Sequence, residues 1–111
     1  GQTGLDTFEQ LAKQYPDSGF ASRGLIRAAN YYVSVGDYRR AQEYFGRVLI
    51  DYPDSPQLGE VLLYKGVCQY KLGQSADALQ TFYQVTEDHS GTDLAHTAQK
   101  YINFINQKHG E

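Results

Sequence analysis

The sequence repeats itself at a fixed spacing of 37 residues. The tetrapeptide Tyr-Pro-Asp-Ser occurs at residues 15–18 and 52–55, and a degenerate third copy, His-Ser-Gly-Thr, follows at 89–92. The same spacing relates residues of one type elsewhere in the chain: Phe8, Phe45 and Phe82, and also Gly36 and Gly73. A unit this short cannot bury its apolar face alone, so its copies must stack on one another. The repeat therefore predicts a stack of like units within one domain.

The apolar residues inside each unit have helical spacing. They recur every three or four positions, which places them on one face of an α-helix, as in Tyr38, Ala41, Phe45, Val48 and Tyr52. Gly36 and Gly73 stand where a first helix should end in a left-handed residue. Pro53 stands where a second helix should end. No segment alternates like a strand, so the predicted fold class is all-α, with stacked antiparallel helical hairpins.

Six helices are predicted, over about 4–14, 19–35, 38–52, 56–72, 75–88 and 92–108. Asp37, Ser75 and Thr92 are each placed to accept from the free amides that open a helix. Ser55 followed by Pro56 predicts another helix start, because proline is tolerated at the first helical position. The single domain, 1–111, is thus divided into four parts: a half repeat 1–18, a repeat 19–55, a repeat 56–92 and a terminal helix 92–108.

These residues resemble the tetratricopeptide repeat (TPR), in which small residues lie where two helices cross and phenylalanine fills the space between hairpins. The signature is carried by Phe8, Pro16, Ala29, Tyr32, Gly36, Ala41, Phe45, Pro53, Gly66, Gly73, Ala78 and Phe82. Ser90 departs from the pattern, since proline is expected there. The resemblance implies a non-catalytic scaffold that binds other proteins.

A finer resemblance lies in the Tyr-Pro-Asp-Ser signature, the 37-residue unit and the segment 90–100. These features are similar to TPR proteins of the bacterial envelope, namely the periplasmic Tol-Pal accessory (YbgF) family and BamD-like outer-membrane assembly lipoproteins. The similarity implies a periplasmic or outer-membrane-associated location. Because the chain contains no methionine, it is expected to be part of a longer precursor that carried the targeting segment.

Two departures leave alternatives open. Lys65 and Gln69 occupy positions that are usually apolar in the family, so either their helix is rotated or its apolar residues Leu63, Val67 and Tyr70 face outward. The N-terminal segment also matches a second helix without its first helix. That half repeat could pair with another copy of the chain, which makes a homo-oligomerisation or structural module of a larger cytoplasmic adaptor the alternative function.

No pattern in the chain points to catalysis. His89, His96 and His109 lack the spacing of metal ligands, and the single Cys68 lies inside a predicted helix, away from anything that would activate it. The net charge is -3, which argues against a nucleic-acid partner. The longest apolar run has four residues, Val61 to Tyr64, too few to span a bilayer. We therefore predict no enzyme activity, no cofactor, no metal and no direct membrane insertion.

The predicted function is the binding of a peptide or helix segment of another protein in a concave groove. By the resemblance, the first helix of each hairpin lines that groove, with an apolar floor and a charged rim. The partner-binding residues predicted on these helices are Arg23, Ile26, Arg27, Asn30, Val33, Leu63, Val67, Tyr70, Lys71 and Phe104. Lys100 and Tyr101 lie on equivalent turns of the last helix. The lysine–asparagine spacing that clamps a terminal carboxylate is missing, because Ile26 precedes Asn30 by four residues.

Overall fold

The computed structural model describes residues 19–109, with side chains from 21 to 108. This part of the chain contains five helices and no strand: α1 (Gly19–Ser34), α2 (Tyr38–Asp51), α3 (Leu58–Lys71), α4 (Ser75–Asp88) and α5 (Asp93–His109). Successive helices pack against each other, and α5 also contacts α3. The all-α fold of stacked helical hairpins is confirmed. The predicted helix over 4–14, together with Phe8 and Pro16, lies outside the described residues.

Glycine ends the first helix of both hairpins, as predicted. Gly36 has φ 80 and Gly73 has φ 83, in the left-handed region. The amide of Gly36 donates to Val33 O at 3.1 Å and that of Asp37 to Tyr32 O at 2.8 Å. Gly73 and the residue after it repeat this pair of hydrogen bonds at the end of α3. Each turn thus satisfies carbonyls that the helix end leaves free.

Two of the predicted helix caps are confirmed and two are wrong, although α4 begins at residue 75 as predicted. Asp37 accepts from the amide of Arg40 at 3.2 Å, and Thr92 Oγ1 accepts from that of Ala95 at 3.2 Å. Ser75 is not a cap but the first residue of α4. The preceding Gln74 makes no capping bond, and its Oε1 instead accepts from Nε2 of Gln42 on α2 at 3.3 Å.

The helix predicted from residue 56 begins at Leu58. Ser55 Oγ accepts from the amide of Gln57 at 3.2 Å, while Leu58 N–H donates to Ser55 O at 3.3 Å. These bonds close a turn around Pro56 before the helix starts. The serine hydroxyl competes with helical hydrogen bonding, which is why serine is as typical of turns as of helix caps.

Helix α3 lies between two apolar clusters, which bears on whether the apolar residues beside Lys65 and Gln69 face outward. Val61 and Cys68 belong to a cluster with α1 and α2, whereas Leu62 and Leu63 belong to a cluster with α4 and α5. The helix is therefore buried on two sides. Leu63 does not face outward: it is only 5% exposed.

Gln69 is buried because it forms a polar pair across the second hairpin. The Thr81 hydroxyl donates to Gln69 Oε1 at 2.6 Å. One repeat earlier, the equivalent positions hold Tyr32 and Tyr44, whose rings stack with centroids 5.4 Å apart. The second hairpin thus replaces an aromatic contact by a buried hydrogen bond, and the polar atoms that it buries are satisfied.

The hairpins are joined by a ring stack that itself repeats after 37 residues. Phe45 stacks on Tyr64 with centroids 6.1 Å apart, and Phe82 stacks on Tyr101 at 4.8 Å. Both phenylalanines have 0% exposure. In each case the second helix of one hairpin contacts the first helix of the next.

Gly66 allows the Phe82 ring to approach α3 closely. A Cβ added to Gly66 would lie 2.8 Å from Cε1 of that ring, which is too short for a real contact. Gly46, in the middle of α2, has no other group within 4 Å of an added Cβ. The two helical glycines therefore differ in the space around them.

We predict opposite effects for alanine at these two glycines. Gly46→Ala should stabilise the fold by about 0.5–1 kcal/mol, since alanine is the better helix former. Gly66→Ala gains the same helical preference but overpacks the core at a cost of about 1–3 kcal/mol. Its net effect should be a destabilisation of about 1 kcal/mol. Urea denaturation followed by circular dichroism measures both, and equal stabilisation by the two variants would contradict the packing of Phe82 on Gly66.

Candidate functional site

The described part of the chain contains an aromatic hollow between α3 and α5. Its volume is about 470 Å³. Two residues from the end of α3 and four from α5 line it: Tyr70, Lys71, Thr97, Lys100, Tyr101 and Phe104. We refer to it below as the α3–α5 hollow. Both helices are first helices in the repeat, so the hollow lies where the sequence places a binding surface.

Three rings shape the α3–α5 hollow. Tyr70 meets Phe104 nearly at right angles, with centroids 6.0 Å apart and an interplanar angle of 84°. Tyr70 also meets Tyr101 edge-on at 6.4 Å, and Tyr101 is held from behind by its stack on Phe82. Phe104 is 52% exposed. The hollow therefore has walls fixed by the core and one large apolar side chain open to solvent.

The repeat relates residues of the hollow to positions on the other first helices. The 37-residue step takes Asn30 to Val67 and Phe104, and it takes Ser34 to Lys71. The residues that meet across the hollow are not at matching positions, since the step takes Tyr70 to Gln107, and it is the direct contact between α3 and α5 that brings them together. Thr97 was not among the predicted partner-binding residues, although it occupies the same repeat position as Arg23 and Glu60.

The structure brings together only some of the predicted partner-binding residues. Tyr70, Lys71 and Phe104 line the α3–α5 hollow. Val67 is half-buried against the second core cluster beside it, and Val33 is half-buried against the first cluster.

Ile26 and Leu63 do not form an accessible floor. Each is 5% exposed and packed within a core cluster. Their prediction as residues of an accessible groove floor is wrong. They occupy matching positions on α1 and α3, and both side chains pack against neighbouring helices. Arg23, Arg27 and Asn30 are exposed on α1 but do not line the hollow.

Charge is distributed unevenly between the two kinds of helix. The first helices, α1, α3 and α5, carry six Lys and Arg against two Asp and Glu. The second helices, α2 and α4, carry three Lys and Arg against five Asp and Glu. The first helices are therefore basic although the whole chain has a net charge of -3.

His89, His96 and Cys68 do not line the α3–α5 hollow. His89, at the turn after α4, packs against Gly59, where a Cβ would meet its ring at 2.9 Å. Cys68 has 0% exposure, and burial raises the pKa of its thiol to about 11. Within residues 19–109, no three His, Cys, Asp or Glu side chains are grouped so that they could hold a metal ion. None of the helices described there has the length and apolar character that a membrane span requires.

Comparison with known protein families agrees with the repeat. A family model described as a tetratricopeptide repeat matches residues 26–91, and a second tetratricopeptide-repeat model matches residues 2–18. The first match covers more than half of the chain, so the chain belongs to the tetratricopeptide-repeat family. Repeats of this family are typical of non-catalytic scaffolds that bind other proteins, and no enzyme family is indicated. Among curated proteins, none matches the sequence.

The buried thiol gives a prediction on reactivity. At pH 8 a thiol of pKa about 11 is about 0.1% thiolate, against about a quarter for an ordinary cysteine of pKa about 8.5. Ellman's reagent should therefore modify native Cys68 at least a hundredfold more slowly than Cys68 in guanidinium-unfolded protein. Because the folded pKa is the higher one, the thiol's contribution to stability is complete below about pH 8.5 and is lost as the pH rises toward 11. Equal rates in native and unfolded protein would contradict the burial.

Proposed function

We propose that this tetratricopeptide-repeat protein binds a segment of a partner protein along the face formed by α1, α3 and α5. The observation that carries the proposal is the α3–α5 hollow, where Phe104 is 52% exposed beside rings that the core holds in place. Large aromatic side chains that stand open on a rigid frame are the usual anchors of protein interfaces.

The remaining predicted residues extend the proposed surface toward the other end of the stack. Asn30 occupies the repeat position of Val67 and Phe104, and Arg23 and Arg27 are exposed on the same helix. A segment bound at the hollow and continuing toward α1 would meet these polar side chains. Helix and strand segments bound by repeat proteins use such a mixture of apolar anchors and polar contacts.

The surface can be tested by site-specific photo-crosslinking in the cells that make the protein. A photoreactive phenylalanine analogue at Asn30 or Phe104 should give crosslinked adducts with another protein. Ile50 is the matched control, because it is 79% exposed but lies on the second helix α2. Adducts that are as abundant from Ile50 as from Asn30 and Phe104 would contradict the proposed face.

A role in the bacterial cell envelope is the second part of the proposal. Its support is the Tyr-Pro-Asp-Ser signature at 15–18 and 52–55, together with the segment 90–100 and the 37-residue unit. The protein would then act in the periplasm or at the outer membrane, in the manner of Tol-Pal accessory or outer-membrane assembly proteins. A cytoplasmic adaptor whose half repeat serves oligomerisation is the rival function.

The location is tested by the full gene and by cell fractionation. We expect the reading frame upstream of residue 1 to encode a signal peptide, and the protein to be released with the periplasm or recovered with the outer membrane. A precursor without any export signal, together with recovery in the cytoplasmic fraction, would refute the envelope role and leave the generic adaptor.

A further inference from the structure

We infer that the α3–α5 hollow takes an acidic peptide segment in which one aromatic side chain is flanked by Asp or Glu. The inference rests on the proposed function and names the chemistry of the partner. Two observations converge on it: the geometry of the rings, and the charge of the side chains at the edge of the hollow.

The rings define the anchor. Tyr70, Tyr101 and Phe104 meet edge to face, with interplanar angles of 63° and 84° around Tyr70. A volume of about 470 Å³ lies within the range of about 300–1,000 Å³ typical of sites for small ligands. An incoming aromatic ring can continue the same edge-to-face packing, an arrangement that aromatic pairs favour over a face-to-face sandwich.

The charges define the flanking residues. Lys71 and Lys100 are both exposed at the edge of the hollow, and no acidic side chain lines it. The nearby Lys108 is exposed on the turn of α5 that matches Lys71. An uncharged apolar segment would form no ion pair with these ammonium groups, whereas Asp or Glu beside the anchor would pair with them. Such rim charges act on the rate of association and on its salt dependence.

The acidic second helices strengthen the choice of an acidic partner. They carry five Asp and Glu against three Lys and Arg, so an acidic segment is repelled from that side of the stack. Specific recognition commonly combines attraction at the right surface with repulsion at the wrong one. A membrane surface is the rival anionic ligand, and the test separates the two.

The test uses the full chain and three synthetic peptides of about twelve residues, followed by fluorescence anisotropy of a labelled end. The first peptide is rich in Asp and Glu around one central phenylalanine. The second replaces its acids by the matching amides, and the third replaces its phenylalanine by alanine. We expect the first to bind at least tenfold more tightly than either of the others, and to weaken as salt is raised from about 50 to 500 mM.

Variants locate the site. Phe104→Ala should weaken binding of the first peptide by about tenfold or more, as for an interface anchor. Lys71→Gln and Lys100→Gln should each weaken it about two- to fivefold, as expected for exposed charge pairs. The matched controls are Ile50→Ser and Arg39→Gln, which remove an exposed apolar side chain and an exposed charge from α2. Neither control should change the affinity.

Each other outcome overturns the inference in a recognisable way. Equal binding of the acidic and amide peptides would contradict the acidic character of the partner, although the hollow could still bind an aromatic anchor. Binding that ignores Phe104 but responds to the α2 controls would place the site elsewhere. Absence of binding up to about 1 mM, with crosslinks still formed from Asn30, would refute the inference and spare the proposed function. Binding to phosphatidylglycerol vesicles that depends on Lys71 and Lys100, without binding of the peptide, would assign the hollow to a lipid surface.

Discussion

The stack of Phe45 on Tyr64, repeated by Phe82 on Tyr101, is the contact on which the rest of the structure depends. A hairpin of about 37 residues has an apolar face too large to leave in water and too small to form a core of its own. The ring pair covers that face with the next hairpin. Tyr101 of the second ring pair also lines the α3–α5 hollow, so the hollow depends on how the units are joined.

The second hairpin shows that the repeat tolerates different chemistry at one position if the pair changes together. Tyr32 and Tyr44 stack in the first hairpin, whereas Gln69 and Thr81 share a hydrogen bond of 2.6 Å in the second. A glutamine placed alone among apolar neighbours would cost about 1–3 kcal/mol in lost hydration. Thr81 satisfies it, and Gly66 nearby leaves room for the Phe82 ring. In this chain, the two positions thus change together from one hairpin to the next.

Much of this architecture can be predicted from the sequence, because helical periodicity and left-handed glycines are local properties. The turns at Gly36 and Gly73 are of this kind. The start of α3 and the cap of α4 are not, because the hydroxyl of Ser55 and the side-chain amide of Gln74 each have several possible partners nearby. The burial of Ile26 and Leu63 depends on helices distant in sequence, which a pattern of apolar residues cannot reveal. The hollow itself could be predicted in part, since Tyr70, Lys71 and Phe104 follow from the repeat, but its depth depends on the contact between α3 and α5.

The uneven charge of the helices has a consequence at distances beyond any contact. With basic first helices and acidic second helices, the electrostatic field differs between the two kinds of helix. Such a field turns an approaching anionic chain before collision and raises the fraction of encounters that are productive.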